Sequence, residues 1–109
     1  MLMLPDEQVR VALDEINRVF LADRACLFTY DETKGSLRLR AGRDARGHDL
    51  GFLASVRGAV VKAAWNSLEP VVVQDGGTGT ELGIMAAPLI ARDRLLGVLY
   101  LDGSRQPGG

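Results

Sequence analysis

The sequence predicts an α+β domain in which a central antiparallel sheet of about five strands is flanked by helices. Apolar residues recur at helical spacing in two stretches, and the remaining apolar residues fall into short alternating or continuous runs. Their order along the chain is helix, hairpin, helix, strand, loop, hairpin.

The first helix is expected from Pro5 to about Ala22, with Val9, Leu13, Ile16 and Phe20 on one stripe and Asp14, Asn17 and Arg18 between them. Pro5 suits the first helical position, where its missing N–H is not needed, and Asp6 and Glu7 lie where the helix dipole favours negative charge. Val11 and Val19 widen the apolar stripe and mark a second contact surface. Ala25 to Tyr30 reads as a strand and Asp31 to Gly35 as a polar turn. Leu37, Leu39 and Ala41 then alternate with Ser36, Arg38 and Arg40 as in a half-exposed strand.

Arg43 to Asp49 reads as a Gly- and Arg-rich loop. Ser55 supplies the N-cap chemistry for a second helix defined by Val56, Ala59, Val60, Ala63 and Ala64 and ending near Asn66, before Glu69-Pro70. Val71 to Val73 is a short β-branched strand stopped by Asp75, Gly76 and Gly77. The apolar runs Ile84 to Ile90 and Leu95 to Leu101, joined by Ala91-Arg92-Asp93-Arg94, form a hairpin expected to be buried largely on both faces in mid-sheet. Pro88 within it requires a bulge or an unpaired position.

A chain of 109 residues suits one domain, here 1–103, with a linker-like tail at 104–109. Apolar residues at 47% and charged residues at 25% are a globular balance, and no apolar stretch reaches the roughly 20 residues of a bilayer span. Met1 to Leu4 is apolar but lacks a basic n-region and is followed by acidic Asp6 and Glu7, so a secretory signal is not expected and the expected compartment is the cytoplasm. A net charge of −1 selects neither nucleic acid nor an anionic membrane. One cysteine and one histidine exclude an internal disulfide and a clustered zinc site.

Several ordered segments resemble the GAF family: Ala22-Asp23-Arg24-Ala25-Cys26-Leu27-Phe28, Ser55-Val56-Arg57-Gly58-Ala59-Val60-Val61, Glu69-Pro70-Val71-Val72-Val73-Gln74-Asp75, and Ala86-Ala87-Pro88-Leu89 followed by Leu96-Gly97-Val98-Leu99-Tyr100-Leu101-Asp102. A PAS-like or roadblock-like sheet is the competing architecture. The GAF resemblance implies first and last strands side by side in mid-sheet, a terminal-helix face used for homodimerisation, and an opposite face that holds a small ligand in some relatives. It also implies a regulatory sensor or signal-relay role within a larger protein, with a ligand-free dimerisation domain as the alternative. The chain departs from that pattern between Asp75 and Ile84, where a longer lid is usual, and at Gly83, where many relatives carry Ser. The family's cyclic-nucleotide signature is not visible.

Cys26 lies inside an apolar strand, where a buried, inert thiol is expected. His48 reads as a solvated loop residue, and Arg38, Arg40, Arg43 and Arg46 as a solvated edge rather than a nucleic-acid site. Gly76-Gly77-Thr78-Gly79-Thr80 either presents backbone N–H groups to an anion or forms a tight turn, and it lacks the Gly-Lys-Ser/Thr end of a P-loop. Trp65 belongs to the core or to a stacking surface, and Asp75 and Glu81 either pair as carboxylates or cap turns. If a ligand binds, its expected site is at Trp65, Asp75, Thr78, Thr80, Glu81 and Met85, between the second helix and the third and fourth strands. No nucleophile and base stand at a catalytic spacing, so the chain is expected not to be an enzyme, and no cofactor is specified.

Overall fold

A computed structural model describes residues 5–50, 58–75 and 82–103. The elements are α1 (Asp6–Phe20), β1 (Arg24–Asp31), β2 (Ser36–Asp44), α2 (Gly58–Ser67), β3 (Val71–Asp75), β4 (Leu82–Ala91) and β5 (Arg94–Asp102). The strands form one sheet in the order β2-β1-β5-β4-β3, every pair antiparallel. The first and last strands thus lie together at the centre, as the resemblance implies. Helix α2 joins the two edge strands, β2 and β3.

Strand periodicity sorts side chains onto two faces. On one face, Cys26, Ile84, Ala86, Val98 and Tyr100 pack beneath Val60, Val61 and Ala64 of α2. On the other, Ala25 and Leu101 pack beneath Val9 and Leu13 of α1, with Ala22 at their side. The stripe α2 buries uses Val61 where the sequence suggests Ala59 and Ala63, which are exposed. The N-cap expected at Ser55 lies outside the described residues.

Pro5 is the N-cap of α1, not its first helical residue: its ψ of 149° is extended, and its carbonyl accepts the N–H of Val9 at 3.1 Å. The helix stops at Leu21, whose left-handed φ of 54° turns the chain out of the helix, and the N–H of Ala22 closes on the carbonyl of Asn17 at 3.1 Å. Between β1 and β2, Asp31 Oδ1 accepts the N–H of Thr33 at 3.0 Å, and Gly35, with φ of 64°, returns its N–H to the Asp31 carbonyl at 2.8 Å. Arg92 and Asp93 both have positive φ, the combination a two-residue turn needs to match the twist of the β4–β5 hairpin.

The expectation that this hairpin is largely buried on both faces does not extend to its tip, where Leu89, Ile90 and Leu96 are 36%, 50% and 50% exposed. The reason is geometric: β3 pairs with β4 only as far as Ala86 and β1 with β5 only as far as Gly97, so the tip has sheet neighbours within the hairpin alone. Pro88 sits in the distal half of β4 opposite Val98, next to a register irregularity between Leu89 and Ile90, which supplies the allowances a proline needs.

Candidate functional site

The expected site residues divide between the faces. Trp65, in the last turns of α2, packs against the α2-side core and stacks on Tyr30 of β1, with ring centroids 5.1 Å apart and planes 13° from parallel. Tyr30 is 41% exposed, so the pair forms an aromatic rim at one end of this face. Asp75 is the last residue of β3, paired with Leu82. Thr78, Thr80 and Glu81 lie outside the described residues.

Met85 does not join Trp65. It pairs with Val72 and Leu101 and packs with the α1-side core, because its neighbours Ile84 and Ala86 take the α2 side. There it lines a cleft of roughly 200 Å³ with Phe20, Ala22, Val72 and Leu101. That volume is below the roughly 300 Å³ at which pockets for drug-sized ligands begin.

The sequence reading did not single out a polar group on the α2 face. Asp102 ends β5 and is 8% exposed. Its carboxylate accepts Arg24 Nε–H at 2.9 Å, a second bond from the same guanidinium, and the Tyr100 hydroxyl at 2.8 Å. The pairing raises the Arg24 pKa. Parity brings these residues together: Arg24 faces Asp102 across the central strand pair, and Tyr100 precedes Asp102 by two. Cys26, two residues after Arg24, is fully buried, and desolvation pushes its thiol up to about 12. The expected inert cysteine is what this environment produces.

Arg43 is in β2 rather than in a loop, and its guanidinium bridges two carboxylates. It donates to both oxygens of Asp14 on α1 at 2.9 Å and to Asp49 at 2.9 Å. Asp49 also accepts Arg10 Nε–H at 3.2 Å, and Arg40 meets Asp6 at 2.6 Å. The basic run therefore differs from a solvated edge: Arg40 and Arg43 are paired into α1, whereas Arg38 is 69% exposed with Asp31 at 3.9 Å. A readable signal existed, since Asp6, Arg10, Asp14 and Asn17 recur at helical spacing and form the polar stripe that meets β2. His48 is exposed as expected, with its ring Nδ1 3.2 Å from Asp44 Oδ2.

Among the described residues, no three His, Cys, Asp or Glu side chains cluster as a metal site, and no helix is long and apolar enough to cross a membrane.

Residues 4–109 match the GAF domain family. No curated protein matches the chain. Among solved structures, it is similar to a GAF domain from Synechocystis sp. in its photoproduct state, with TM-score 0.62 and 14% identity, covering 93% of this chain and 78% of that one. It is also similar to the ligand-binding domain of a Pseudomonas aeruginosa amino-acid chemoreceptor in complex with GABA, with TM-score 0.58 and 18% identity, covering 95% of this chain and 44% of that one. The chain thus spans less than half of the chemoreceptor domain.

Proposed function

Because this chain belongs to the GAF domain family, we propose that it is a regulatory sensor and signal-relay module of a larger cytosolic signalling protein, holding a small molecule on its α2 face. The observation that carries this reading is the division of one sheet into two unlike faces. The α2 face presents an aromatic rim at Trp65 and Tyr30 at one end, while β3 runs to the opposite end, where Asp75 pairs with Leu82 beyond the Arg24–Asp102 level and precedes Thr78, Thr80 and Glu81 in the sequence. The α1 face carries a helix whose outward residues Val11, Val19 and Phe20 are 59%, 58% and 54% exposed. The GABA-bound relative supports a small molecule as the ligand class.

Trp65, Asp75, Thr78, Thr80 and Glu81 are the residues to test, whereas Met85 belongs to the cleft on the other side. The experiment is a thermal-shift screen of nucleotides, amino acids and haem. A ligand at about 100 times its Kd adds roughly 2.7 kcal/mol and raises Tm by several degrees, and Trp65→Ala should weaken that gain. A screen in which no compound moves Tm counts against sensing.

A second reading, favoured by the exposure of Val11 and Val19, is homodimerisation through α1. Sedimentation should show a dimer that Val11→Glu and Val19→Glu dissolve, and a monomer at high concentration would remove this reading. Neither reading includes catalysis, consistent with the burial of the Cys26 thiol, and neither includes nucleic acid, consistent with the carboxylate pairing of Arg40 and Arg43.

A further inference from the structure

We propose that the Asp44–Leu50 turn is the mechanical link between the two faces of the sheet, so that a displacement on the α2 face reaches α1 through Asp49. This rests on the relay reading above and names its route.

The turn folds back on the outer edge of β2. The N–H of Asp44 donates to the His48 carbonyl at 3.0 Å, and Asp44 Oδ1 accepts the N–H groups of Arg46 and His48 at 2.9 Å each. Arg43 and Asp49 then form an antiparallel bridge, and the N–H of Leu50 donates to the Gly42 carbonyl at 2.9 Å. Asp49 and Leu50 are therefore held in extended pairing, where successive side chains leave on opposite sides. Asp49 goes to the α1 side and is held by Arg10 and Arg43. Leu50 goes to the α2 side and packs against the core beneath α2. Two consecutive residues thus straddle the edge of the sheet.

The α1 end of the link is over-determined. The Asn17 side chain, 2% exposed, donates to the carbonyls of Arg43 and Asp44 at 3.0 and 3.2 Å, while the Arg43 fork grips Asp14. The α2 end is close-packed: a methyl group built on Gly42 would lie 3.2 Å from Leu50 Cβ and 3.4 Å from Cys26 Sγ. Tight packing at one end and several directional bonds at the other transmit a shift rather than absorb it.

The test perturbs the α2 side and reads α1 by amide hydrogen exchange, with β5 amides reporting global opening. Leu50→Val removes packing and Gly42→Ala inserts a wedge against Leu50. Either should accelerate exchange across Arg10 to Asn17 by about fivefold or more relative to β5. The acceleration should disappear when Asp49→Ala is already present, because that change removes the oxygen that accepts from Arg10 and Arg43. Exchange in α1 that follows β5 without excess would overturn the link, as would an excess of equal size in the Asp49→Ala background. If the Gly42→Ala chain does not fold, Leu50→Val decides alone. Run in the Val11→Glu, Val19→Glu background, the measurement involves neither a ligand nor an α1 dimer, so a blank ligand screen leaves this result standing, and a failed link leaves ligand binding standing.

Discussion

Arg24 and Asp102, the first residue of β1 and the last of β5, face each other across the central strand pair and close it with a two-pronged ion pair. Asp102 receives the Tyr100 hydroxyl as well, so removal of one carboxylate deletes three bonds at a site 8% exposed. Breaking a fully buried pair costs about 3–5 kcal/mol. Because the Arg24 side chain is 25% exposed, water recovers part of that, and Asp102→Ala should cost about 2 kcal/mol in urea unfolding. A loss under about 0.5 kcal/mol, the range of ordinary surface substitutions, would show that the pair contributes little.

Two glycine-to-alanine changes should have opposite signs. At Gly97 in β5, a methyl carbon would lie 2.1 Å from the Phe28 carbonyl oxygen, a backbone atom in the neighbouring central strand that cannot swing aside. Gly97→Ala should therefore force β1 and β5 apart and destabilise by about 3 kcal/mol, the upper end of overpacking costs. At Gly58, the first residue of α2, no described residue lies within 4 Å of the added methyl. Gly58→Ala should stabilise by about 0.5–1 kcal/mol, through helix propensity and a less flexible unfolded chain. Urea midpoints that move in the same direction for both would contradict this.

The sheet was legible because its strands carry local signals: alternation in β2, β-branching in β3, and continuous apolar runs in β4 and β5. The site was less so, and the reason lies in those same runs. Gly83-Ile84-Met85-Ala86-Ala87 is apolar at successive positions, so composition does not say which face each side chain takes. Only the pairing of Met85 with Val72 and Leu101 places it opposite Trp65. Arg43 was hidden differently, since its partners Asp14 and Asp49 lie 29 and 6 residues away and its surroundings read as a loop. Asp102 and Arg24, 78 residues apart, meet only when β1 and β5 pair.

Acid should loosen the Asp44–Leu50 turn before the core. The Asp44 carboxyl is held below its ordinary 3.8, first by the His48 backbone N–H, and Asp49 is held below the same value, first by its hydrogen bond from Arg43. Depressed folded-state values mean that the unfolded chain binds protons more readily. The stabilisation is present above about pH 4 and is lost as pH falls through the folded values. Both groups face water, so the effect is modest. The urea midpoint of the native chain should fall more steeply below about pH 4 than that of an Asp44→Asn, Asp49→Asn double variant. Parallel profiles for the two chains would rule these carboxylates out as the source.

Cys26 should report on opening of the sheet. Its side chain is fully enclosed beneath α2, and burial, aided by the charge of Asp102 and opposed by Arg24, raises its thiol to about 12 against an ordinary 9.0. Only the thiolate attacks a disulfide reagent, so the native thiol should stay silent near about pH 8, where a peptide thiol is partly ionised. Labelling must then wait for α2 to lift from the sheet or for β1 and β5 to separate, at a rate set by the population of open molecules. Gly97→Ala, which strains that strand pair, should speed labelling by strand separation in proportion to its loss of stability. The raised value also fixes the alkaline behaviour: above about pH 9 the unfolded chain loses its thiol proton first, so stability declines as pH climbs toward the folded value. Rapid, denaturant-independent labelling of the native protein would mean that Cys26 is reached without either opening, and the enclosed α2-side core described above would have to open locally at this strand.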